Sequence, residues 1–185
     1  MPWIKAWCDE LARPLCRPRA LFIDLDLTLW NHSNLSLTNP PYTRVGVNAI
    51  VDSRGERIEL NYGAREFLEW AREAGLMLFT LSWNEPAKAV KALKALGVDA
   101  LFNGIYVEPH HRKDLVMLKA LKDLEEKGIS LKPCEIIYVD DREIHGEQVK
   151  NSVGGVVFVL MWKDVKDFIE LRKFVNELLN AQCIT

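Results

Sequence analysis

The chain has 185 residues, 49% hydrophobic and 27% charged, which is enough for one sizeable core and too apolar for wholesale disorder. A formal charge of -2 argues against a general nucleic-acid binder, though not against a local basic pocket for a phosphorylated ligand. No apolar run reaches membrane-spanning length, and the first fifteen residues carry Lys5, Asp9, Glu10 and Arg13 instead of a continuous apolar stretch, so a cytoplasmic protein without membrane attachment is expected.

Residues 2–12 read as a short amphipathic helix, with Trp3, Ile4, Trp7 and Leu11 at helical spacing. Pro14 and Pro18 end it. Leu21, Phe22 and Ile23 then form a continuous apolar run, which suits a strand buried on both faces. Two carboxylates follow, Asp24 and Asp26, and then Thr28, Leu29 and Trp30. On a strand, residues two apart point to one side, so the two acids can converge on one small site. Burying them costs stability unless a cation or hydrogen bonds compensate.

Asn31 to Pro41 is polar and turn-rich. Arg44 to Val51 and Glu56 to Leu60 are β-prone, and Asp52, Ser53, Arg54 and Gly55 join them. This predicts a hairpin flap over about 42–61, placed to cover the acidic pair. Gly63 to Ala74 is a helix with Phe67, Leu68, Trp70 and Ala71 inward and Gly75 at its end. Leu76 to Leu81 is a strand ending at Ser82, Trp83 and Asn84. Pro86 opens a helix that runs through Leu96. Ala100 to Tyr106 is a weak strand or a loop. Lys113 to Lys127 is a helix with Leu115, Leu118, Leu121 and Leu124 on one side. Glu135 to Val139 is a strand ending at Asp140 and Asp141. A short helix over Glu143 to Asn151, a strand over Val156 to Leu160 and a helix over Asp164 to Leu179 complete the chain.

Apolar strands alternating with helices predict an α/β fold: a three-layer, Rossmann-like domain with a mainly parallel sheet, spanning residues 1–185 as one unit. Sites in such sheets lie beyond the carboxyl ends of the strands. Asp24 and Asp26, Ser82 and Asn84, and Asp140 and Asp141 all fall at such ends, so one crevice can hold them. Asp24, Asp140 and Asp141 together concentrate negative charge, and all-oxygen ligation with room for water suits Mg²⁺. A carboxylate can also act as a nucleophile and form an aspartyl-phosphate. Asp24 can supply it, while Asp26 can give a proton to the leaving group and later take one from water. Cys8, Cys16, Cys134 and Cys183 have neither C-x-x-C spacing nor a partner His for zinc, so reduced thiols are the expected state.

The series D-x-D-x-T after a first apolar strand, Ser82 after a second, a Lys, and Asp140-Asp141 after a later strand resembles the haloacid dehalogenase superfamily of phosphohydrolases. Asp-Leu-Asp-Leu-Thr-Leu-Trp over 24–30 is further similar to its magnesium-dependent phosphatase family. The resemblance spans roughly Ala20 to Leu160. It implies that Asp24 is nucleophile and Mg²⁺ ligand, and that Asp26 is the acid/base and binds the metal through its backbone carbonyl. Asp140 would ligate the metal, and Asp141 would ligate it or orient a metal-bound water. Ser82 would bind the phosphoryl group, with Trp83, Asn84 and Thr28 nearby. Lys113, or another basic group of His110, His111 and Arg112, would neutralise the charge there. The absence of a large insertion implies the capless type with an open site. Trp30, Trp83 and Arg44 either border the entrance or pack, and the role of His145 is open. The implied activity is a Mg²⁺-dependent phosphomonoesterase acting on phosphotyrosine proteins or sugar phosphates. The alternative is a catalytically silent phosphate- and Mg²⁺-binding regulatory module.

Overall fold

The computed structural model describes residues 16–181, so the expected helix at 2–12, with Cys8 and Cys183, lies outside the described residues. In chain order the elements are β1 (Ala20–Ile23), β2 (Thr43–Arg44), β3 (Ala49–Val51), β4 (Arg57–Glu59), α1 (Ala64–Glu73), β5 (Met77–Trp83), α2 (Pro86–Leu96), β6 (Gly104–Glu108), α3 (Lys113–Glu126), β7 (Ile136–Asp140), α4 (Glu143–Val153), β8 (Val157–Leu160) and α5 (Phe168–Asn180). Five strands form one parallel sheet in the order β6-β5-β1-β7-β8. The chain moves outward from β1 through β5 to β6, then returns to the far side of β1 at β7. That reversal makes the carboxyl end of β1 the switch point where an open α/β sheet leaves its crevice.

Alternation along each strand produces the two apolar layers. Leu21 and Ile23 join Leu78, Ile137, Val139, Val157 and Val159 on one face, beneath α1, α2 and α5. Ala20 and Phe22 join Phe79, Leu81, Ile136 and Tyr138 on the other, beneath α3 and α4. All four residues of β1 are fully buried, as their unbroken apolar run requires of a central strand.

Four elements differ from the sequence reading. The expected hairpin is a three-stranded antiparallel sheet, β2-β3-β4, because Thr43 and Arg44 pair with Val51 and Ile50. It is stitched to the loop after β1 by the Asn31 N–H to Glu59 O bond at 2.9 Å and by the Glu59 N–H to Asn31 Oδ1 bond at 3.0 Å. Of Ala100 to Tyr106, read as a weak strand or a loop, Gly104 to Tyr106 belong to the edge strand β6, which runs on to Glu108 and pairs with β5. The last helix starts at Phe168, capped by Asp167, whose Oδ1 accepts from the Ile169 and Glu170 amides. In α3 the inner face is Lys113, Val116, Met117, Ala120 and Leu124, while Leu115 and Leu118 are 48% and 40% exposed. A run spaced strictly by three drifts around a helix of 3.6 residues per turn, whereas the observed spacing mixes threes and fours and keeps one face.

The expectation of reduced thiols is also corrected for one pair. Cys16 and Cys134 are joined by a disulfide, with Cα atoms 5.3 Å apart. Parallel pairing of β1 with β7 brings the segments ahead of both strands side by side, and the Arg19 amide donates to Glu135 O there. Those two cysteines are 118 positions apart, so their meeting follows from strand order alone.

One glycine is required by close packing. A Cβ on Gly146, in α4, would sit 2.4 to 2.5 Å from the Phe158 ring of β8. That ring packs on Tyr138 at 5.4 Å and under the Lys150 ammonium. We expect Gly146→Ala to cost about 1–3 kcal/mol, because the ring has to leave a packed position. Thermal unfolding followed by circular dichroism checks this; an unchanged Tm would contradict the packing described.

Candidate active site

β1 ends at Ile23, and its backbone continues into a turn in which Leu27 adopts a left-handed conformation (φ 54°). The Asp24 amide donates to Val139 O of β7 at 3.0 Å, fixing the first carboxylate against the neighbouring strand. Asp140, the last residue of β7, is fully buried, and Asp141 follows it. Ligand oxygens of Asp24, Asp140 and Asp141 all lie within 4.8 Å of one another.

Lys113 is the cation in this group. It is the first residue of α3, is 2% exposed, and its Nζ lies 2.7 Å from Asp24 Oδ1 and 2.6 Å from Asp140 Oδ2. Tyr138 OH also donates to Asp140 Oδ2, and the Arg142 amide donates to Asp140 Oδ1 at 2.8 Å. The neighbouring basic groups do other things. Arg112 forms a two-pronged bond to Asp114 at 2.9 and 2.7 Å, and the His111 ring lies edge-on to Trp83 at 5.8 Å.

One ammonium does not balance three clustered carboxylates. Burial, opposed by Lys113 and reinforced by Asp140, pushes the Asp24 carboxyl up to about 7. Burial and the Asp140 charge raise Asp141 as well. For Lys113, burial opposes the charge, but Asp24 and Asp140 outweigh it and raise the ammonium's pKa. The donor set is three hard carboxylate oxygens with a net negative charge left over, which fits a divalent, oxygen-preferring cation such as Mg²⁺.

Asp26 is set apart from this group. It accepts from the Trp30 indole Nε1 at 2.7 Å, from Asn84 Nδ2 at 2.7 Å and from the Leu35 amide at 3.2 and 3.3 Å. Burial raises its carboxyl, partly offset by these donors. The carboxylate of Asp26 therefore does not join the three-acid cluster, although Asp24 and Asp26 line the same cleft of about 270 Å³. Its other walls include Ser33, Asn34, Ser36, Trp83, Lys113, Asp141, Arg142 and His145.

The remaining sequence candidates fall as follows. Ser82 is 2% exposed near the end of β5, and Thr28 is fully buried; both hydroxyls lack a hydrogen-bond partner, and neither residue is part of the cleft wall. Trp83 is 47% exposed and borders the cleft. Trp30 is fully buried and works as a donor to Asp26, so it does not border the entrance. Arg44 bonds the Gly46 and Val47 carbonyls and is absent from the cleft wall. His145 is buried in that wall, and burial together with the Lys113 charge holds its imidazole below the usual value. No residue of β2, β3 or β4 lines the cleft; Ser33, Asn34 and Ser36 stand there instead of the expected flap. Sequence reading missed Tyr138, the Leu35 amide and Ser36, whose positions depend on folding across the sheet end.

Residues 17–163 match the family model described as Acid Phosphatase. No curated protein matches the chain. Among solved structures, a HAD-superfamily hydrolase from Ehrlichia chaffeensis superposes with a TM-score of 0.63 at 14% identity, covering 89% of this chain and 98% of that one. A HAD-superfamily hydrolase of subfamily IA from Geobacter sulfurreducens gives 0.60 at 14% identity, with 88% and 97% covered. The N-terminal part of a Bacteroides fragilis protein, containing a phosphatase domain complexed with Mg, gives 0.55 at 16% identity. There 88% of this chain is covered, and it spans 40% of the other chain. At these identities the likeness shows the fold.

Proposed function

This chain belongs to the acid phosphatase family, and on that premise we propose that it is a Mg²⁺-dependent phosphomonoesterase working through an aspartyl-phosphate on Asp24, as its resemblance to the haloacid dehalogenase phosphohydrolases implies. The supporting observation is the meeting of Asp24, Asp140 and Asp141 within 4.8 Å of one another, with the Lys113 ammonium on Asp24 and Asp140 and with Asp26 held separately at the same cleft. Asp24, Asp140 and Asp141 would hold the metal, which neutralises charge on the phosphoryl oxygens when bound.

In the first step an Asp24 carboxylate oxygen attacks phosphorus. The bond from phosphorus to the ester oxygen breaks, its electron pair goes to that oxygen, and Asp26 gives it a proton, releasing an alcohol. In the second, the Asp26 carboxylate takes a proton from water as the water oxygen attacks phosphorus. The bond to Asp24 breaks, and inorganic phosphate leaves. Lys113 stabilises negative charge on Asp24 and on the transferring group. The hydroxyls of Ser82 and Thr28, unpartnered in the structure, would donate to phosphoryl oxygens on this reading. The substrate is a phosphorylated small molecule or phosphoprotein, reached through an open cleft, without nucleic acid or a membrane as partner. The described residues include no helix long and apolar enough to cross a membrane.

Hydrolysis of p-nitrophenyl phosphate tests the reading. Chelation with EDTA is expected to lower turnover by at least about 10²-fold, with recovery on adding Mg²⁺. A base-labile, hydroxylamine-sensitive phosphoenzyme should be trapped in the acid quench. Full activity in EDTA would remove the metal from the mechanism. Mg²⁺ binding without turnover would favour the silent regulatory module.

A further inference from the structure

We propose that Asn84 is a positioning residue for Asp26, and that Ser36 orients Asn84, so that a three-residue chain from the cleft rim sets how well the leaving group is protonated. The proposal rests on the reading of Asp26 as proton carrier.

Asn84 is 1% exposed, lies just beyond β5 and is not part of the cleft wall. Both ends of its amide are engaged. Nδ2 donates to Asp26 Oδ2 at 2.7 Å, and Oδ1 accepts from Ser36 Oγ at 2.8 Å. Ser36 Oγ in turn accepts from the Glu85 amide at 3.1 Å, which directs its own proton toward Asn84. Reversing the amide would set its oxygen against a carboxylate oxygen, so the network permits one orientation. On the other side of Asp26 the Trp30 indole, a donor only, holds Oδ1. The Leu35 amide spans both oxygens. Three donors, two from the connection after β1 and one from beyond β5, thus fix the plane of the Asp26 carboxyl. Lys88 Nζ, from α2, donates to Ser36 O and keeps the rim segment in register with Asn84.

A general acid contributes only when its proton points at the departing oxygen. Its contribution grows as the leaving group becomes more basic, because a stable phenolate departs unaided and an unstable one does not. A loosened Asp26 should therefore penalise poor leaving groups selectively. A purely structural Asn84, holding the turn between β5 and α2, would penalise all substrates alike.

The test is kcat/KM for a series of substituted phenyl phosphates of similar shape and graded leaving-group acidity, on wild type, Asn84→Ala, Ser36→Ala and Asp26→Asn. Asp26→Asn should show the steepest dependence on leaving-group acidity. Asn84→Ala should approach it, with about a 10-fold or greater loss at the poor end beyond that at the good end. Ser36→Ala should steepen in the same direction, and it decides the matter if Asn84→Ala does not fold. Parallel losses with the wild-type slope in the positioning variants, while Asp26→Asn is steep, overturn this proposal alone. A wild-type slope in Asp26→Asn overturns the proton-carrier reading and this proposal with it.

Discussion

Asp24→Asn is expected to reduce p-nitrophenyl phosphate turnover by on the order of 10⁴-fold or more, the loss typical of removing a covalent nucleophile. An amide of almost the same shape keeps an oxygen facing Lys113, so the cleft should survive. It lacks the charge and the nucleophilicity. Stability should move the other way. Asp24 is 5% exposed among like charges, and burial pushes its carboxyl up to about 7. That is the mark of a charge the fold accommodates poorly without a further cation. Replacing it by a neutral group relieves that cost, so in metal-free buffer Asp24→Asn should melt at or above the wild-type temperature. Added Mg²⁺ should stabilise the wild type more than the variant, since one of three ligands is lost. Differential scanning fluorimetry beside the kinetic assay reads both effects. Wild-type turnover in Asp24→Asn would falsify the aspartyl-phosphate reading.

The sheet was legible because its strands carry strong local signals. Leu21 to Ile23 and Ile136 to Val139 are continuous apolar runs, and both proved to be central strands buried on two faces. Polar residues just past such runs stand at the carboxyl ends of the strands, and Asp24 and Asp140 meet there. The orientation of Asp26 was not legible. Period-two reasoning holds only on a strand, and β1 stops at Ile23. The turn, with Leu27 left-handed, sends the Asp26 carboxylate to Trp30, Leu35 and Asn84 instead of to the three acids. The inner face of α3 was misread for a related reason. Leucines stand out in a sequence, yet this helix is rotated so that Lys113 reaches Asp24, and Leu115 and Leu118 then fall outward. The Cys16–Cys134 bridge and the Ser36–Asn84 bond join positions far apart in sequence, and no local pattern encodes them.

Lys113→Met should damage both stability and catalysis, and the two losses should separate on adding metal. The ammonium is 2% exposed and contacts Asp24 at 2.7 Å and Asp140 at 2.6 Å. Removing one partner of a buried ion pair typically costs about 3–5 kcal/mol, because the remaining charge is left without compensation. Here two carboxylates are left, so without metal the variant should melt well below wild type. Mg²⁺ bound at Asp24, Asp140 and Asp141 would supply positive charge and recover part of that stability. It should not recover the rate. On the proposed mechanism the metal would be held by the carboxylates, whereas Lys113 would also serve the transferring phosphoryl group, and loss of one such electrostatic contact costs about 10²–10³ in kcat. Lys113→Arg should fail to restore activity, since a planar guanidinium does not fit a site shaped for a compact ammonium. Arg112→Met provides the contrast. Its guanidinium is spent on Asp114, so stability should fall while kcat stays within a few-fold of wild type. If Mg²⁺ restores full turnover to Lys113→Met, or if Arg112→Met loses as much rate, then Lys113 is not the phosphoryl-clamping cation.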